Sequence, residues 1–306
     1  MKRFLSIISI LCVCTLVFAS TPNASATDIQ TTYQDEPILI ASTVVNEYDV
    51  LVESERASDV LCDAENNSSI ESLIVSRAQL SDDILSERYG YSDEQIQILK
   101  SYDGSPIEDN PQLRGVFGNV YGYIYRMSYD DHGVTVRFSW NWDNPPMLWG
   151  NDTVTCAWVG VNSSNGPHAL RFDSENSSFH VDYYDTDASG KEEFKYRLEY
   201  DIDDANVNSD VSADFKMGDD SDLEIWAKKG YMDVTLEEPV PTNDLTYSTV
   251  AFGYGHQTLV FSASLNADVD GISISITPGT GTEKMFDGSI SIWRNGYWEV
   301  NGDAFP

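Results

Sequence analysis

The chain has 306 residues and carries 50 acidic against 18 basic side chains, a formal net charge of −32. A surface that negative is repelled by nucleic-acid phosphates and by anionic membrane surfaces, so neither is expected as a partner. Hydrophobic residues make up 41% of the chain, enough for a sizeable core.

At the N-terminus Lys2 and Arg3 precede an apolar run from Phe4 to Ala19, followed by Ala24-Ser25-Ala26. Basic, apolar and small-x-small is the order of a secretory signal peptide, here residues 1–26, and the run is shorter than the roughly 20 residues of a membrane span. The mature chain is therefore expected to be secreted and extracellular, with no membrane span. The partner class left open is an extracellular ligand, glycan or protein. Cys12 and Cys14 leave with the peptide, and Cys62 and Cys156 remain. An oxidising compartment permits a bridge between these two. Against it, Cys156 alternates with Val154 and Trp158 in TVTCAWVGV, which reads equally as a buried, unpaired thiol facing a core.

Residues 27–78 form an acidic extension without a clean period. Within it SSIESLIVSRAQL sets Ile70, Leu73 and Ile74 at helical spacing. A partly helical extension and a pro-segment both fit. Residues 79–104 predict two short helices. Ser81 and Ser92 are N-caps followed by acids in the first turn, and Gln95 completes a capping box with Ser92. Gly90 and Gly104 stand where such helices end. Residues 105–115 read as a linker.

From 116 to 306 the texture is that of strands. VYGYIYRMSY puts Tyr121, Tyr123, Tyr125 and Met127 on one face, as an inter-sheet or half-exposed packing row. GVTVRFSWNW sets Val134, Val136, Phe138 and Trp140 against Thr135, Arg137 and Ser139, and ISISIT at 272–277 alternates without a break. Asn295-Gly296 between two such runs is a hairpin signal. Strand after strand without intervening helices predicts a mainly β protein, an antiparallel β-sandwich or jelly-roll-like domain preceded by a short helical segment.

Three stretches invite chemistry. DTDASGKEEF at 185–194 places Asp185, Asp187, Ser189 and Glu193 like the first ligands of a calcium loop. Tyr196 stands where the twelfth-position Glu belongs, and the flanks alternate like strands, so a hairpin turn competes with the calcium site. WNWDNPPMLWGND sets Trp142 and Trp149 at the ends of a proline-containing loop, either to stack on a sugar ring or to cap the core. LEYDID puts Glu199, Asp201 and Asp203 at alternate positions. Over six residues it resembles the Glu-x-Asp-x-(x)-Glu strand of a family of jelly-roll glycosidases, with Asp in place of the final Glu. That resemblance implies acid/base and nucleophile carboxylates, which retaining hydrolysis needs about 5–5.5 Å apart. A solvated face continuing through Lys195 and Arg197 accounts for the same residues.

The remaining motifs are absences. His132, His168, His180 and His256 are scattered without metal-ligand spacing, no Gly-x-Ser-x-Gly elbow occurs, and PGTGTEK lacks the phosphate-loop frame. The reading is a binding or interaction protein, with a carbohydrate-active module on the same scaffold as the alternative. No cofactor is expected beyond calcium.

Overall fold

A computed structural model describes residues 36–58, 70–130, 132–147, 149–186, 191–206, 209–218, 225–240, 244–256, 261–268, 271–278 and 283–301. The signal peptide, Cys62, Asp187 and Ser189 lie outside the described residues.

The protein is mainly β, with two antiparallel sheets. In chain order the strands are β1 Ile38–Asn46, β2 Asn119–Tyr129, β3 Gly133–Trp142, β4 Asn151–Asn162, β5 Pro167–His168, β6 Arg171–Phe172, β7 Ser178–Thr186 and β8 Glu192–Glu199. There follow β9 Asp203–Asn206, β10 Asp210–Lys216, β11 Ile225–Glu237, β12 Leu245–His256, β13 Phe261–Asp268, β14 Gly271–Pro278, β15 Glu283–Trp293 and β16 Trp298–Asn301. The first sheet runs β1-β2-β3-β11-β7-β8, with β6 beside β11. The second runs β16-β15-β12-β4-β10-β9, with β5 beside β4, and β13 pairs with β14 as a separate hairpin.

One expectation needs correction. The helices do not precede the β structure. Strand β1 comes first, pairs with β2 from Ile38↔Arg126 to Asn46↔Asn119, and so belongs to the sandwich. ILIASTVVN is rich in β-branched residues but does not alternate cleanly, which hid it among the acidic extension. Helices α1 Glu47–Ser58, α2 Ile70–Ala78, α3 Asp82–Tyr89 and α4 Asp93–Lys100 are an insertion between β1 and β2. Ser81 accepts from Ile84 N, and Ser92 and Gln95 close a reciprocal capping box. Gly90 ends α3 at φ +66°, a conformation that costs glycine nothing.

The core lies between the two sheets. Alternation in β3 turns Val134, Val136, Phe138, Trp140 and Trp142 inward, and all five are buried. Trp140 stacks on Phe215 at 5.0 Å and Phe179 at 5.7 Å, while Phe138 meets Phe252 at 5.5 Å. Gly230 makes room, since a Cβ there would stand 2.3 Å from the Trp140 ring. The helices build a second cluster around Ile74, Leu85, Leu99, Ile107 and Phe117. Antiparallel pairing sorts the turns onto two ends. The β3–β4 loop meets the helices, whereas the β2–β3, β4–β5 and β15–β16 turns lie at the opposite end.

Candidate functional site

At the end away from the helices, the start of β12, the β4–β5 turn and the β15–β16 turn border a shallow, open cleft of about 520 Å³, lined by Ser163, Asp244, Leu245, Thr246, Trp293, Arg294 and Asn295. Strand register creates it: Tyr247 lies opposite Trp293 across the β12–β15 pair, so their rings stack at 4.9 Å and 29°. Tyr297 meets the same indole edge-on at 5.3 Å and is 60% exposed. On the polar wall the Ser163 hydroxyl donates to Asp244 Oδ1 at 2.6 Å, and Arg294 N donates to Thr246 O at 3.0 Å.

The turn carrying Arg294 and Asn295 is fixed by its own chemistry. Gly296 sits at φ +80°, where a side chain is strained, and a Cβ there would lie 2.4 Å from the Tyr129 ring. Tyr297 N donates to the Asn295 side chain at 3.0 Å, and Gly296 N donates to Trp293 O at 2.7 Å. From the other sheet Arg126, stacked 4.5 Å above Tyr129, donates to Gly296 O.

Close by in the fold, a wholly buried carboxylate joins three segments. Glu238 Oε1 lies 2.6 Å from His168 Nε2 and Oε2 lies 3.2 Å from His132 Nδ1, while Glu238 N donates to His132 O. The β2–β3 and β4–β5 turns are thereby pinned to the end of β11. Two histidines that are isolated in sequence share one acid.

The opposite end holds a second acid–histidine cluster. His256 Nδ1 donates to Asp152 Oδ1 at 2.8 Å, and its Nε2 lies 3.4 Å from Glu47 Oε1, an ion-pair separation outside hydrogen-bond geometry. Tyr254 Oη donates to Asp152 Oδ2 and accepts from Trp142 Nε1 at 3.0 Å, while Met147 N donates to Glu47 Oε2 at 2.7 Å. Burial alone would push the His256 imidazolium down. The Asp152 charge and hydrogen bond, then the nearby Glu47 carboxylate, outweigh it and raise the group from 6.5 to about 10. Burial and the Asp152 charge hold the Tyr254 phenol well above its ordinary range. Glu47, Asp152, Tyr254 and His256 are all sealed from solvent. No substrate reaches this group. It ties the start of α1 to β4 and β12.

The predicted site residues fall elsewhere. Trp142 is fully buried within this cluster and stacks no ligand. Its alternation with Trp140 and Phe138 along β3 already points it inward. Trp149 is half-buried, edge-on to Tyr89 at 5.8 Å, with its N–H given to Pro146 O. It packs against the helical segment through Tyr89. Strands β7 and β8 pair from His180↔Glu199 to Thr186↔Glu192, making the flanks of the calcium-like stretch a hairpin. Asp185 and Glu193 both pair with the Lys195 ammonium, at 3.1 and 2.9 Å. Among the described residues no group of three His, Cys, Asp or Glu is arranged to hold a metal. LEYDID is not one strand. Glu199 ends β8 in the first sheet, Asp203 starts β9 in the second, and Glu199, Asp201 and Asp203 are all exposed along the crossing. They form no cleft, and the glycosidase resemblance is not supported. Cys156 is a buried free thiol.

No protein-family model matches the chain, and no curated protein matches it in sequence. One solved structure similar to part of it is titled "Complete structure of manganese lipoxygenase of Gaeumannomyces graminis and partial structure of zonadhesin of Komagataella pastoris". The match has 8% identity and a TM-score of 0.21, over 58% of this chain and 63% of that one. This chain thus spans less than two thirds of that neighbour, and a likeness so slight carries no argument.

Proposed function

We propose that this is a secreted binding protein that holds a neutral glycan in the Trp293 cleft. The observation carrying this reading is the Trp293 indole, backed by Tyr247, flanked by the exposed Tyr297 ring and faced by Asp244, Arg294 and Asn295. A pyranose offers an apolar C–H face to an aromatic ring and a rim of hydroxyls to carboxylate, guanidinium and amide groups. A pocket with an apolar floor and a few fixed polar groups meets both needs. The net charge of −32 disfavours anionic ligands and leaves neutral sugars unaffected. The signal-peptide pattern at residues 1–26 supports an extracellular role. Among the described residues the cleft is lined by one carboxylate, Asp244, where glycoside hydrolysis uses a pair, which favours binding over cleavage.

Titrating the protein with neutral and uronic oligosaccharides, read by tryptophan fluorescence and calorimetry, tests this. A neutral oligosaccharide is expected to shift the emission. Trp293→Ala should weaken its affinity at least about tenfold, or about 1.4 kcal/mol. An unresponsive panel, or a Trp293→Ala variant that binds as well as wild type, refutes the reading.

A further inference from the structure

The acids are unevenly distributed. The chain has 50 of them, yet no residue of β1, β2 or β3 is acidic. On the outward face of these strands the register sets Tyr121, Tyr123 and Tyr125 in a row along β2, all half-exposed, with Tyr123 and Tyr125 rings 6.3 Å apart. Ser42 and Ser139 lie on either side of Tyr123. The tyrosines therefore stand as a ridge, and the serine positions form lower ground beside it. At the edge, Val44 and Leu39 are 51% and 48% exposed, among the few large aliphatic side chains so open to water among the described residues. Further in, Arg137 lies over the Tyr231 ring at 4.0 Å and is clamped by Asp233 through two 2.7 Å bonds, so this part of the face is rigid and neutralised.

We infer that this face is where two copies of the chain meet, related by a two-fold axis. Two molecules of charge −32 repel wherever acid would face acid, and β1–β3 is the side that presents none. A ridge beside a channel is self-complementary under two-fold rotation, because each tyrosine row drops onto the serine positions of the other copy. Tyrosines with few rotors, a preformed arginine and exposed aliphatics are the composition of interface cores. Strands β1–β3 and the neighbouring β11, where Arg137 neutralises Asp233, are spaced about 4.8 Å apart and over eight residues rising about 3.3 Å each span roughly 14 by 26 Å. That footprint is below the roughly 800 Å² per partner of a standard interface and matches the smaller area of a weak dimer.

The test is sedimentation equilibrium of the purified full chain from about 1 to about 100 µM, at low and high salt, bracketing a micromolar dimer. The expected species is a dimer that tightens as salt screens the repulsion between copies. Tyr123→Glu, which places an acid against its symmetry mate, should give a monomer with unchanged circular dichroism and melting. Where that variant fails to fold, Tyr123→Ser should weaken the dimer at least tenfold. A wild-type chain that stays monomeric at every concentration and salt overturns the inference. So does a dimer that survives either folded variant, or a monomer that instead sediments with insoluble neutral polysaccharide through this face.

Discussion

Replacing His256 with Gln removes a cation from a sealed site that holds two carboxylates, Asp152 and Glu47. The folded-state value near 10, against 6.5 for the free group, means that folding tightens proton binding at this imidazole. At about 1.4 kcal/mol per pKa unit the gap sets a ceiling of about 5 kcal/mol. Breaking a buried ion pair by removing one partner costs about 3–5 kcal/mol, so the two estimates agree. Because the folded value is raised, the stabilisation is complete below about pH 6.5 and drains away as the pH climbs to about 10. Urea denaturation of both proteins at pH 6, 8 and 10 measures it. At pH 6 the variant should be less stable by about 3–5 kcal/mol, and the difference should shrink steadily toward pH 10. Taking the difference cancels the general alkaline loss that both proteins suffer from self-repulsion of their negative charge. A variant within about 1 kcal/mol of wild type at pH 6, or a difference that does not change with pH, would show that the histidine is neutral in the fold and refute the charge argument.

Two further outcomes follow from the same reasoning. Gly296→Ala forces a side chain into a left-handed turn and into the Tyr129 ring. It should cost at least about 1–2 kcal/mol in thermal unfolding and weaken whatever the cleft binds, because Arg294 and Asn295 ride on that turn. Cys156, whose thiol burial pushes well above its ordinary range, should resist a thiol-specific dye in the native protein and react fully once urea unfolds it.

The sandwich was legible where strands have one wet and one dry face. In β3, Val134, Val136, Phe138 and Trp140 alternate with polar residues and turn inward. Asn295-Gly296 marks the β15–β16 hairpin with a turn that only certain residues enter. Strand β1 escaped because its apolar residues do not alternate, and LEYDID misled because the chain changes sheets at Tyr200, where the period of two continues but the strand does not. The cleft was not legible. It depends on Tyr247 meeting Trp293 across a register that no local signal encodes. The acid–histidine clusters share this difficulty: His168 finds Glu238 and His132 finds the same acid only through the paths of several strands.

The contact between Glu47, Asp152 and His256 draws on the early, middle and late parts of the chain, and β1 pairs with β2 across the helices that separate them in sequence. The fold is therefore closed by contacts between distant parts of the chain. A protease that removed everything before Val116 would free no finished sandwich. It would strip the edge strand from the first sheet, leave β2 with open hydrogen-bonding groups and take one of the two carboxylates from His256. The helical insertion is better regarded as a keystone than as a cover. A shortened version of this protein should be cut within the first 35 residues, where β1 and Glu47 are spared.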